Sequence, residues 1–544
     1  MKAPEKFAEE SLSDYAARLA DLYSKQYSTD VRKRKGQFFT PKRVANFMAG
    51  LVNIPIHREE IRILDPGAGV GVLVASLCDV VKERLYRDKV APTRLVIDAY
   101  ENDPALLPLL EATLEECVSE LNSWGYDVKF HIYGQDFVLH NAEKFTRTKG
   151  LWPNQSDLPY DVVIANPPYY KINKESPHSI AMKELIYGQP NIYALFMALA
   201  IYLLREGGVG VFITPRSFCS GLYYKRFREW FLENTIIDLI HIFESRKEIF
   251  DNDGVLQENI ILKVTRCGEK NRPFKKTKKV IVSVSTDKSF EDLRSFELTL
   301  SEIVYHRKDA MFIRIPTSFL EIDILSSLDR WDHTLNDLGL EISTGPVVPF
   351  RAKEHLCREL DMSSTAPLVW MHNVQGFEVL WPVDKNGKEI AILISEKTKP
   401  LLLPVKNYVL VKRFSSKEQR RRLHAGVLLQ TDFQRYGYIG IENHLNYIHR
   451  PKGTLSEAEA FGIAGILNTT VVDRYFRALN GNTQVNATDI RSMPFPPLDA
   501  VREIGEIVWR KKPAIGYELD RIVAEVLNID AELVEELNER KKVE

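Results

Sequence analysis

The stretch Asn166-Pro167-Pro168-Tyr169 combines residue types that together can activate an amino group. An asparagine side chain and a main-chain carbonyl can accept the two N–H bonds, while the two prolines fix the backbone and remove competing donors. Acceptors held in this way stabilise the positive charge that develops on the nitrogen, and Tyr169 offers an aromatic face for a ring. Average residue usage produces this tetrapeptide by chance in fewer than roughly one chain in a hundred, which disfavours the alternative of a turn merely stiffened by proline.

A glycine-rich turn lies well before this loop in the chain. Residues 63–71, Ile-Leu-Asp-Pro-Gly-Ala-Gly-Val-Gly, have the pattern of a strand that runs into a turn, and the apolar residues 72–81 continue as a helix. Glycine permits positive φ angles and lets a ligand approach the backbone closely, next to helix amides that point at it. We therefore expect a nucleotide-like ligand at Gly67 and Gly69, although turns of this kind also occur for packing alone.

Acidic residues follow the ends of the next two predicted strands. Glu101 comes directly after residues 95–100, and Asp136 follows residues 128–132. A carboxylate at the first position can accept hydrogen bonds from the two hydroxyls of a ribose, and the second is suited to an adenine amino group. Each acid alone is more often a helix N-cap. Three successive strand ends that carry an acid, Asp65 being the first, favour a cofactor that contains adenosine.

These side chains need a scaffold that brings strand ends together, and the hydrophobic pattern from about residue 61 to 265 provides one. Short β-branched segments alternate there with amphipathic helical segments such as 104–121 and 192–205. This alternation predicts an α/β fold with a doubly wound, mostly parallel sheet, in which ligands bind at the carboxyl ends of the strands. The predicted strands are residues 61–64, 95–100, 128–132, 161–165, 209–214 and 236–242.

Beyond this region the pattern becomes less regular. A lysine-rich segment (268–279) and a stretch rich in Ser, Asp and Glu (285–302) interrupt the alternation, so we place a domain boundary between about 290 and 325. The residues that follow mix short β segments with turns and aromatics, which predicts a mixed α+β domain. A charged helical tail begins near residue 500.

Composition excludes several classes of protein. No segment approaches the roughly 18 unbroken apolar residues of a membrane span, and the charged N-terminus lacks the features of a secretory signal, so we expect a soluble, cytoplasmic protein. The five scattered cysteines form neither a disulfide framework nor a zinc-binding pair, and no metal-ligand motif is visible. The formal net charge is -1, so any contact with nucleic acid must come from local basic patches.

In its motifs and their order the chain resembles the N6-adenine DNA methyltransferases, specifically the gamma class of type II restriction–modification systems. Residues 35–41, Lys-Gly-Gln-Phe-Phe-Thr-Pro, match the most N-terminal motif of that family. The glycine turn, the acidic strand ends, the loop at 166–169 and a long C-terminal region follow in the family's order. The resemblance covers residues 30–265 with specific motifs, and it implies a Rossmann-like domain that uses S-adenosyl-L-methionine.

The resemblance also implies roles for individual residues. Thr40 would contact the methionine part of S-adenosylmethionine, Glu101 its ribose and Asp136 its adenine. The complete set expected to bind the cofactor is Thr40, Asp65, Gly67, Gly69, Glu101 and Asp136. The loop at 166–169 would bind an adenine turned out of the DNA duplex, with Tyr169 stacking on the base. Transfer would be a direct displacement in a dry pocket, without a covalent enzyme intermediate or a metal.

One departure from the family concerns the target base. The family usually supplies a second aromatic side chain against this base, and no aromatic stands at the expected place near residues 260–264. Phe250 is the nearby candidate for base stacking, and a place in the hydrophobic core is an equally good explanation for it.

Contacts with DNA are expected mainly in the C-terminal half. Segments 345–351 and 481–494 look like the target-recognition regions of the family. Basic side chains would hold phosphates, while Arg351 and the asparagines would reach base edges; charge runs are, however, also common on solvated surfaces. The candidate DNA-binding residues are Arg351, Lys412, Arg413, Arg420, Arg421, Asn482 and Asn486.

As a member of this family the chain would comprise three parts. Residues 1–310 would form the catalytic domain, with a helical arm at 1–30, residues 325–498 a DNA-recognition domain, and residues 499–544 a helical tail. It would act as a monomer on double-stranded DNA. Methylation of DNA by this chain would protect host DNA from a cognate restriction endonuclease. The two proteins would be paired in function but would not bind each other.

Four other functions share parts of this pattern. Methylation of cytosine N4 uses the same chemistry, but Asn rather than Ser at position 166 fits the adenine pattern better. Methylation of protein or RNA would leave the long C-terminal region unexplained. A fused nuclease finds little room in 544 residues and no acid-rich nuclease motif, and a non-catalytic DNA-binding module does not need the intact Asn166 and Tyr169.

Overall fold

The computed structural model describes residues 2–54, 58–88, 94–147, 160–189, 191–245, 258–268, 278–307, 310–385, 387–415, 419–481 and 484–543. The chain divides into two compact units, Met1–Thr317 and Ser318–Glu544. Among the described helices, none combines the length and the apolar character needed to span a lipid bilayer.

The first unit consists of a sheet, the helices that cover it and a small hairpin. Its helices are α1 (Leu12–Gln26), α2 (Thr29–Lys35), α3 (Lys42–Leu51), α4 (Val72–Asp88), α5 (Leu107–Ser123), α6 (Phe137–Arg147), α7 (Pro177–Ala181), α8 (Tyr193–Tyr202), α9 (Lys225–Asn234) and α10 (Leu300–Ile303). Its strands are β1 (Glu60–Asp65), β2 (Arg94–Tyr100), β3 (Asp127–Tyr133), β4 (Tyr160–Ala165), β5 (Leu204–Pro215), β6 (Thr235–Phe243), β7 (Asn259–Arg266), β8 (Lys279–Ser285), β9 (Arg294–Thr299), β10 (Val304–Arg307) and β11 (Ala310–Ile313).

The described strands form a nine-stranded sheet in the order β3-β2-β1-β4-β5-β7-β6-β8-β9. Neighbours from β3 to β5 pair in parallel, β7 is antiparallel to both β5 and β6, and β8 pairs in parallel with β6. The predicted α/β fold with a mostly parallel, doubly wound sheet is therefore confirmed, and β1 to β6 correspond to the six predicted strands. The chain order reverses next to β1, where open α/β sheets bind their ligands.

Strand β9 lies within the polar stretch 285–302, where the sequence pattern indicated an interruption of the alternation. It pairs antiparallel with β8 at the edge of the sheet, and most of its side chains are exposed or only partly buried. An edge strand of this kind has no continuous apolar face, so its composition does not distinguish it from a loop.

The core of the first unit lies between the sheet and its helices. All ten residues of α8 are buried, and β4 is buried along its whole length, as expected for a central strand with both faces covered. Because β1 to β4 are parallel, their carboxyl ends meet at one edge of the sheet. The residues after these ends are the ones in which the sequence motifs occur.

The second unit has a mixed α+β organisation, as predicted for the C-terminal part. Its helices are α11 (Phe319–Leu328), α12 (Pro349–Ala352), α13 (Glu457–Leu467), α14 (Thr470–Leu479), α15 (Ala487–Arg491), α16 (Leu498–Lys511), α17 (Tyr517–Leu527) and α18 (Ala531–Val543). Its strands are β12 (Glu341–Thr344), β13 (Leu356–Cys357), β14 (Thr365–Val369), β15 (Val374–Gln375), β16 (Glu378–Val379), β17 (Ala391–Leu393), β18 (Leu402–Pro404), β19 (Tyr408–Lys412), β20 (Ala425–Leu428), β21 (Tyr438–Ile441) and β22 (Leu445–His449).

These strands form a six-stranded sheet, β12-β22-β19-β20-β16-β15, and a five-stranded sheet, β13-β17-β14-β21-β18. Helix α16 packs closely against α13. A Cβ at Gly462 would overlap the main chain of Val501, and one at Gly505 would overlap the main chain of Ala458. The two glycines therefore allow the backbones of these helices to touch.

Candidate active site

Residues that follow β1, β2, β3 and β4 surround a cavity of about 430 Å³ in the first unit. The predicted cofactor residues that line it are Thr40, Gly67, Gly69, Glu101 and Asp136. Asp65 is fully buried and does not line it. Of the predicted catalytic loop, Asn166 and Pro168 line the cavity, whereas Pro167 and Tyr169 do not. The structure thus brings the separate sequence motifs together around one space.

The side-chain amide of Asn166 is held in one orientation. Its Nδ2 donates to the main-chain oxygen of Phe38 at 2.7 Å and to Thr40 Oγ1 at 3.0 Å. Its Oδ1 accepts a hydrogen bond from the Tyr169 hydroxyl at 2.6 Å. Because a main-chain carbonyl can only accept, the atom that faces Phe38 must be the amide nitrogen. An amide oxygen has two acceptor positions, so Oδ1 can take one further N–H bond.

Tyr169 is buried, with 6% of its surface exposed. Its ring lies nearly parallel to that of Phe38, with centroids 5.7 Å apart, and the Tyr193 ring approaches it edge-on. Its hydroxyl also lies 3.0 Å from the Ile213 carbonyl oxygen, and burial raises the pKa of Tyr169. A base that stacks on the same face of Tyr169 therefore takes the place of the Phe38 ring.

The N-terminal motif at 35–41 packs directly on the catalytic loop. Gly36 has φ +68°, and a Cβ there would lie 2.8 Å from the Tyr170 ring and 3.0 Å from the Tyr169 nitrogen. Only glycine accommodates both the left-handed conformation and this approach. The contact places Phe38 and Thr40 against Asn166, so residues far apart in the chain orient the catalytic amide together.

The buried Asp65 side chain holds the glycine turn by a hydrogen bond. Its Oδ1 accepts a hydrogen bond from the Gly67 nitrogen at 3.3 Å, and burial raises the pKa of Asp65 to about 7. Gly69 has φ +58°, and the Phe39 ring lies where a side chain would stand, 3.2 Å from the position of a Cβ. The absence of a side chain at position 69 therefore leaves room for the Phe39 ring, which also lines the cavity.

Glu101 lines the cavity at the end of β2. Its Oε2 accepts from the Gly69 nitrogen at 3.0 Å and its Oε1 from the Asp103 nitrogen at 2.7 Å. Burial raises the pKa of Glu101 to about 7, although both of these N–H bonds act in the opposite direction. Each carboxylate oxygen has a second acceptor position, so Glu101 can also accept from the hydroxyls of a ligand.

Asp136 both caps a helix and lines the cavity. Its Oδ1 accepts from the Leu139 nitrogen at 2.9 Å, in the first turn of α6, and its Oδ2 lies 2.9 Å from His178 Nε2. Burial acts to raise the pKa of Asp136, but the hydrogen bonds from His178 and from the main chain lower it below its usual value. Asp136 is therefore an ionised acceptor at neutral pH.

Asp103 is a site residue that the sequence patterns did not reveal. Its Oδ2 accepts from the Tyr23 hydroxyl at 2.9 Å, from Lys35 Nζ at 2.7 Å and from Gln37 Nε2 at 2.9 Å. Burial acts to raise the pKa of Asp103, but these donors lower it to about 2. The carboxylate fastens α1 and the motif at 35–41 to the end of β2. Its position two residues after Glu101 was a weak signal, because its partners come from distant parts of the chain.

The predicted DNA-binding residues have different environments. Arg351 is exposed in α12, and its guanidinium lies 5.4 Å from the Phe350 ring centroid. Lys412 and Arg413 are half-buried at the end of β19, where burial lowers the pKa of both. Arg413 Nη1 also donates to the Asn443 carbonyl at 2.7 Å. Phe250 and Asn482 lie outside the described residues.

The basic run at 420–422 divides into one exposed and two buried side chains. Arg420 is exposed, whereas Arg421 is 9% exposed and donates to the Asn468 carbonyl oxygen. Burial lowers the pKa of Arg421. Arg421 therefore binds the protein's own main chain, and Arg420 faces solvent. Asn486 is the N-cap that precedes α15, where its main-chain N–H and side-chain amide both donate to Asp489 Oδ2.

Comparison with known proteins places the chain among restriction–modification enzymes. The model of the Eco57I restriction-modification methylase family matches residues 95–250. The chain is 37% identical over 495 residues to the type II methyltransferase M.BsuBI of Bacillus subtilis, covering 90% of this chain and 94% of the relative. It is 34% identical over 480 residues to the type II methyltransferase M.PstI of Providencia stuartii, covering 88% and 90%.

A solved structure supports the fold alone. The DrdV–DNA complex shares 14% sequence identity with this chain and gives a TM-score of 0.50, covering 93% of this chain and 60% of that one. The sequence matches to M.BsuBI and M.PstI extend well beyond the loop at 166–169 and necessarily include parts of both units. A shared tetrapeptide does not produce alignments of that length. The chain therefore belongs, as predicted, to the type II methyltransferases of restriction–modification systems.

Proposed function

We propose that this chain transfers a methyl group from S-adenosylmethionine to the N6 amino group of adenine in a short sequence of double-stranded DNA. The fixed amide of Asn166 is the observation that carries the proposal, because its nitrogen is bonded to Phe38 and Thr40 while its oxygen keeps an acceptor position. An acceptor held next to the Pro-Pro backbone is suited to an exocyclic amino group, which has two N–H bonds to satisfy.

The cavity suits S-adenosylmethionine in size and in chemistry. Its volume of about 430 Å³ lies within the roughly 300–1,000 Å³ of small-molecule sites. Glu101 would accept from the ribose hydroxyls and Asp136 from the adenine amino group, and the apolar side chains of Leu73 and Phe137 also line the space. Thr40 would lie by the methionine part, directly beside Asn166. When bound, S-adenosylmethionine would supply a methyl group on a sulfonium, whose C–S bond breaks as the amino nitrogen attacks, so that the sulfur leaves as a neutral thioether and no metal is needed.

The chain's own residues position the adenine and stabilise charge. Asn166 Oδ1 and a main-chain carbonyl of the loop accept the two N–H bonds, which localises the lone pair on the amino nitrogen. The same oxygens stabilise the positive charge that nitrogen acquires as the new bond forms, and they need no reorganisation because the amide is already fixed. Tyr169 stacks on the base once Phe38 has moved from its face. Position and electrostatics therefore supply the catalysis, without a covalent intermediate on the protein.

The family also supports a biological role. In a restriction–modification system, methylation of the recognition sequence prevents cleavage of host DNA by the paired endonuclease. We assign recognition of that sequence to the second unit, where Arg351 and Arg420 present exposed guanidinium groups and Lys412 is half-exposed. Cations of this kind hold phosphates, and arginine can also read guanine edges in the major groove.

Analysis of the methylated nucleoside tests the proposal. The purified chain is incubated with methyl-labelled S-adenosylmethionine and mixed-sequence double-stranded DNA, the DNA is digested, and the nucleosides are separated by mass. We expect label in N6-methyldeoxyadenosine only, and an Asn166→Ala sample serves as the matched blank. Label in N4-methylcytosine would mean that the same chemistry acts on another base, and it would overturn the proposal. The absence of any methylated base would also overturn it.

A further inference from the structure

Two loops at the carboxyl ends of β4 and β5 lie outside the cofactor cavity. The first, of which residues 171–189 and 191 are described, is closed at its base by a bridge between Lys171 and Asn191, and the Ile192 nitrogen donates to the Tyr170 carbonyl at 2.9 Å. Both ends of this loop therefore lie beside the catalytic loop. The second, residues 216–224, follows β5 directly.

The two loops are fastened to each other and to the body of the unit. The Tyr223 ring packs on Gly188, where it would overlap a Cβ, and Arg226 Nη1 donates to the Ile186 carbonyl at 3.2 Å. The buried Arg228 donates to two carbonyls of the second loop, at 2.8 and 3.0 Å. The ring packing and the arginine hydrogen bonds together hold the two loops in a defined arrangement.

Apolar and cationic side chains are exposed together where the loops meet. A groove of about 520 Å³ is lined there by Lys174, Lys183, Tyr187, Leu222 and Tyr223, which we call the Lys174–Tyr223 surface. Tyr223 is 49% exposed, and Tyr187 and Leu222 are exposed to a similar extent. Both lysines are exposed, and within the part of the chain that the structure describes neither forms an ion pair.

Buried aromatic residues next to this surface contact the catalytic loop. Tyr224, next to Tyr223, stacks on Tyr193 with centroids 5.5 Å apart, and Tyr193 meets Tyr169 edge-on at 6.3 Å. The Tyr193 hydroxyl also lies 2.8 Å from Ser217 Oγ in the second loop. Two ring contacts thus connect Tyr224, which follows the groove residue Tyr223 in the chain, with the residue that would stack on the target base.

We infer that the Lys174–Tyr223 surface contacts the DNA duplex beside the target adenine, an inference that rests on the proposed function. Lysines without acidic partners are suited to phosphates. Exposed Tyr and Leu side chains are suited to bases whose stacking is interrupted when a nucleotide leaves the duplex. Both loops begin where the catalytic loop would receive that nucleotide. The surface therefore holds the strand on either side of the extruded adenine.

Removal of the two lysines tests the phosphate contacts. Binding of double-stranded DNA by Lys174→Ala/Lys183→Ala is measured by fluorescence anisotropy at several salt concentrations, beside Lys25→Ala/Lys129→Ala, which removes two exposed lysines elsewhere in the unit. We expect the slope of log affinity against log salt to fall by about 2 for the first pair, with roughly tenfold weaker binding. The affinity for S-adenosylmethionine should be unchanged. Equal slopes for the two pairs would overturn the inference.

Substitution of Tyr223 tests the base contact. With 2-aminopurine at the methylated position of a mapped site, wild-type protein should raise the fluorescence as the base leaves the stack. We expect Tyr223→Ala to reduce this fluorescence rise and to lower the turnover number about tenfold. Tyr223→Phe should retain both the rise and the turnover number. Leu222→Ser, which leaves the Tyr223–Gly188 contact in place, provides a second variant with an intermediate effect.

The outcomes separate this inference from the proposed function. Full activity and full fluorescence change in Tyr223→Ala and Leu222→Ser, together with an unchanged salt slope in the lysine pair, would show that the surface serves another partner. Adenine methylation by the wild type would stand in that case. Absence of adenine methylation in the wild type would instead refute the proposed function, while the salt slopes would still report whether the two lysines meet DNA.

Discussion

The candidate residues of the first unit follow the ends of adjacent parallel strands, whereas those of the second unit come from basic segments of the sequence. In the first unit, Gly67, Glu101, Asp136 and Asn166 line one cavity although they are far apart in the chain. In the second unit, neighbouring arginines of a single run face opposite ways. A residue's place relative to a strand end predicts its location, while charge alone does not predict whether a side chain faces solvent.

The difference has a simple physical origin. Parallel pairing brings the carboxyl ends of β1 to β4 to one edge of the sheet, so the residue type at each strand end determines what faces the cavity. The direction of Arg421 is decided instead by the carbonyl of Asn468, which α13 and its C-terminus bring close. No local pattern in the basic run contains that information.

The largest effect on function is expected from substitution of Asn166 in the first unit. Asn166→Ala removes the positioned acceptor and should lower the rate of methyl transfer by about 10² to 10³. The dissociation constant for S-adenosylmethionine, measured by calorimetry, should stay within about twofold because Asn166 is assigned to the base. Equal losses of transfer and of cofactor affinity would mean that the loop belongs to the cofactor site instead.

Arg420 and Arg421 provide a matched pair in the second unit. Arg421→Ala leaves a buried carbonyl without its donor and should lower the free energy of unfolding by about 1–3 kcal/mol, measured by urea denaturation. Arg420→Ala should change stability by less than about 0.5 kcal/mol, but should reduce the salt slope of DNA binding by about 1. The reverse assignment of the two effects would contradict the burial seen here.

Asp103 tests whether the N-terminal motif is part of the cofactor site. Asp103→Asn weakens the bonds to Lys35 and Gln37, which hold the segment containing Thr40, and should raise the dissociation constant for S-adenosylmethionine about tenfold. Tyr23→Phe removes a single bond to the same carboxylate and should have a smaller effect. Unchanged affinity in Asp103→Asn would show that the motif serves only the catalytic loop.

A pH dependence of cofactor binding is also expected, and its size is at most that expected for Asp103→Asn over one pH unit. With a pKa of about 7, Glu101 is protonated below that pH in the free protein and then accepts ribose hydroxyls poorly. Affinity for S-adenosylmethionine should therefore fall as the pH decreases from 8 to 6, by up to about tenfold per pH unit below 7. Glu101→Gln should flatten the profile. Because the pKa of Asp65 is also about 7, a profile flattened only by Asp65→Asn would assign the proton to the buried acid.

Local sequence signals predict some features of the first unit and miss others. Six strands of the sheet, the cavity at their carboxyl ends and its principal polar residues could be predicted, since periodicity and strand-end residues are local signals. The Phe38 ring on Tyr169 and the donors around Asp103 could not, because they depend on how the N-terminal segment packs on distant strand ends. Edge strand β9 lacked a continuous apolar face, and Arg421 needed a partner from another element.

The central claim is that the positioned amide of Asn166 in the first unit orients an adenine amino group for methyl transfer, at sites selected by the second unit. Sequencing of DNA methylated by the wild-type protein, with modified positions mapped at single-base resolution, tests it most directly. We predict that every modified position is an adenine within one short sequence. Modified cytosines, or modified adenines scattered over unrelated sequences, would contradict the account.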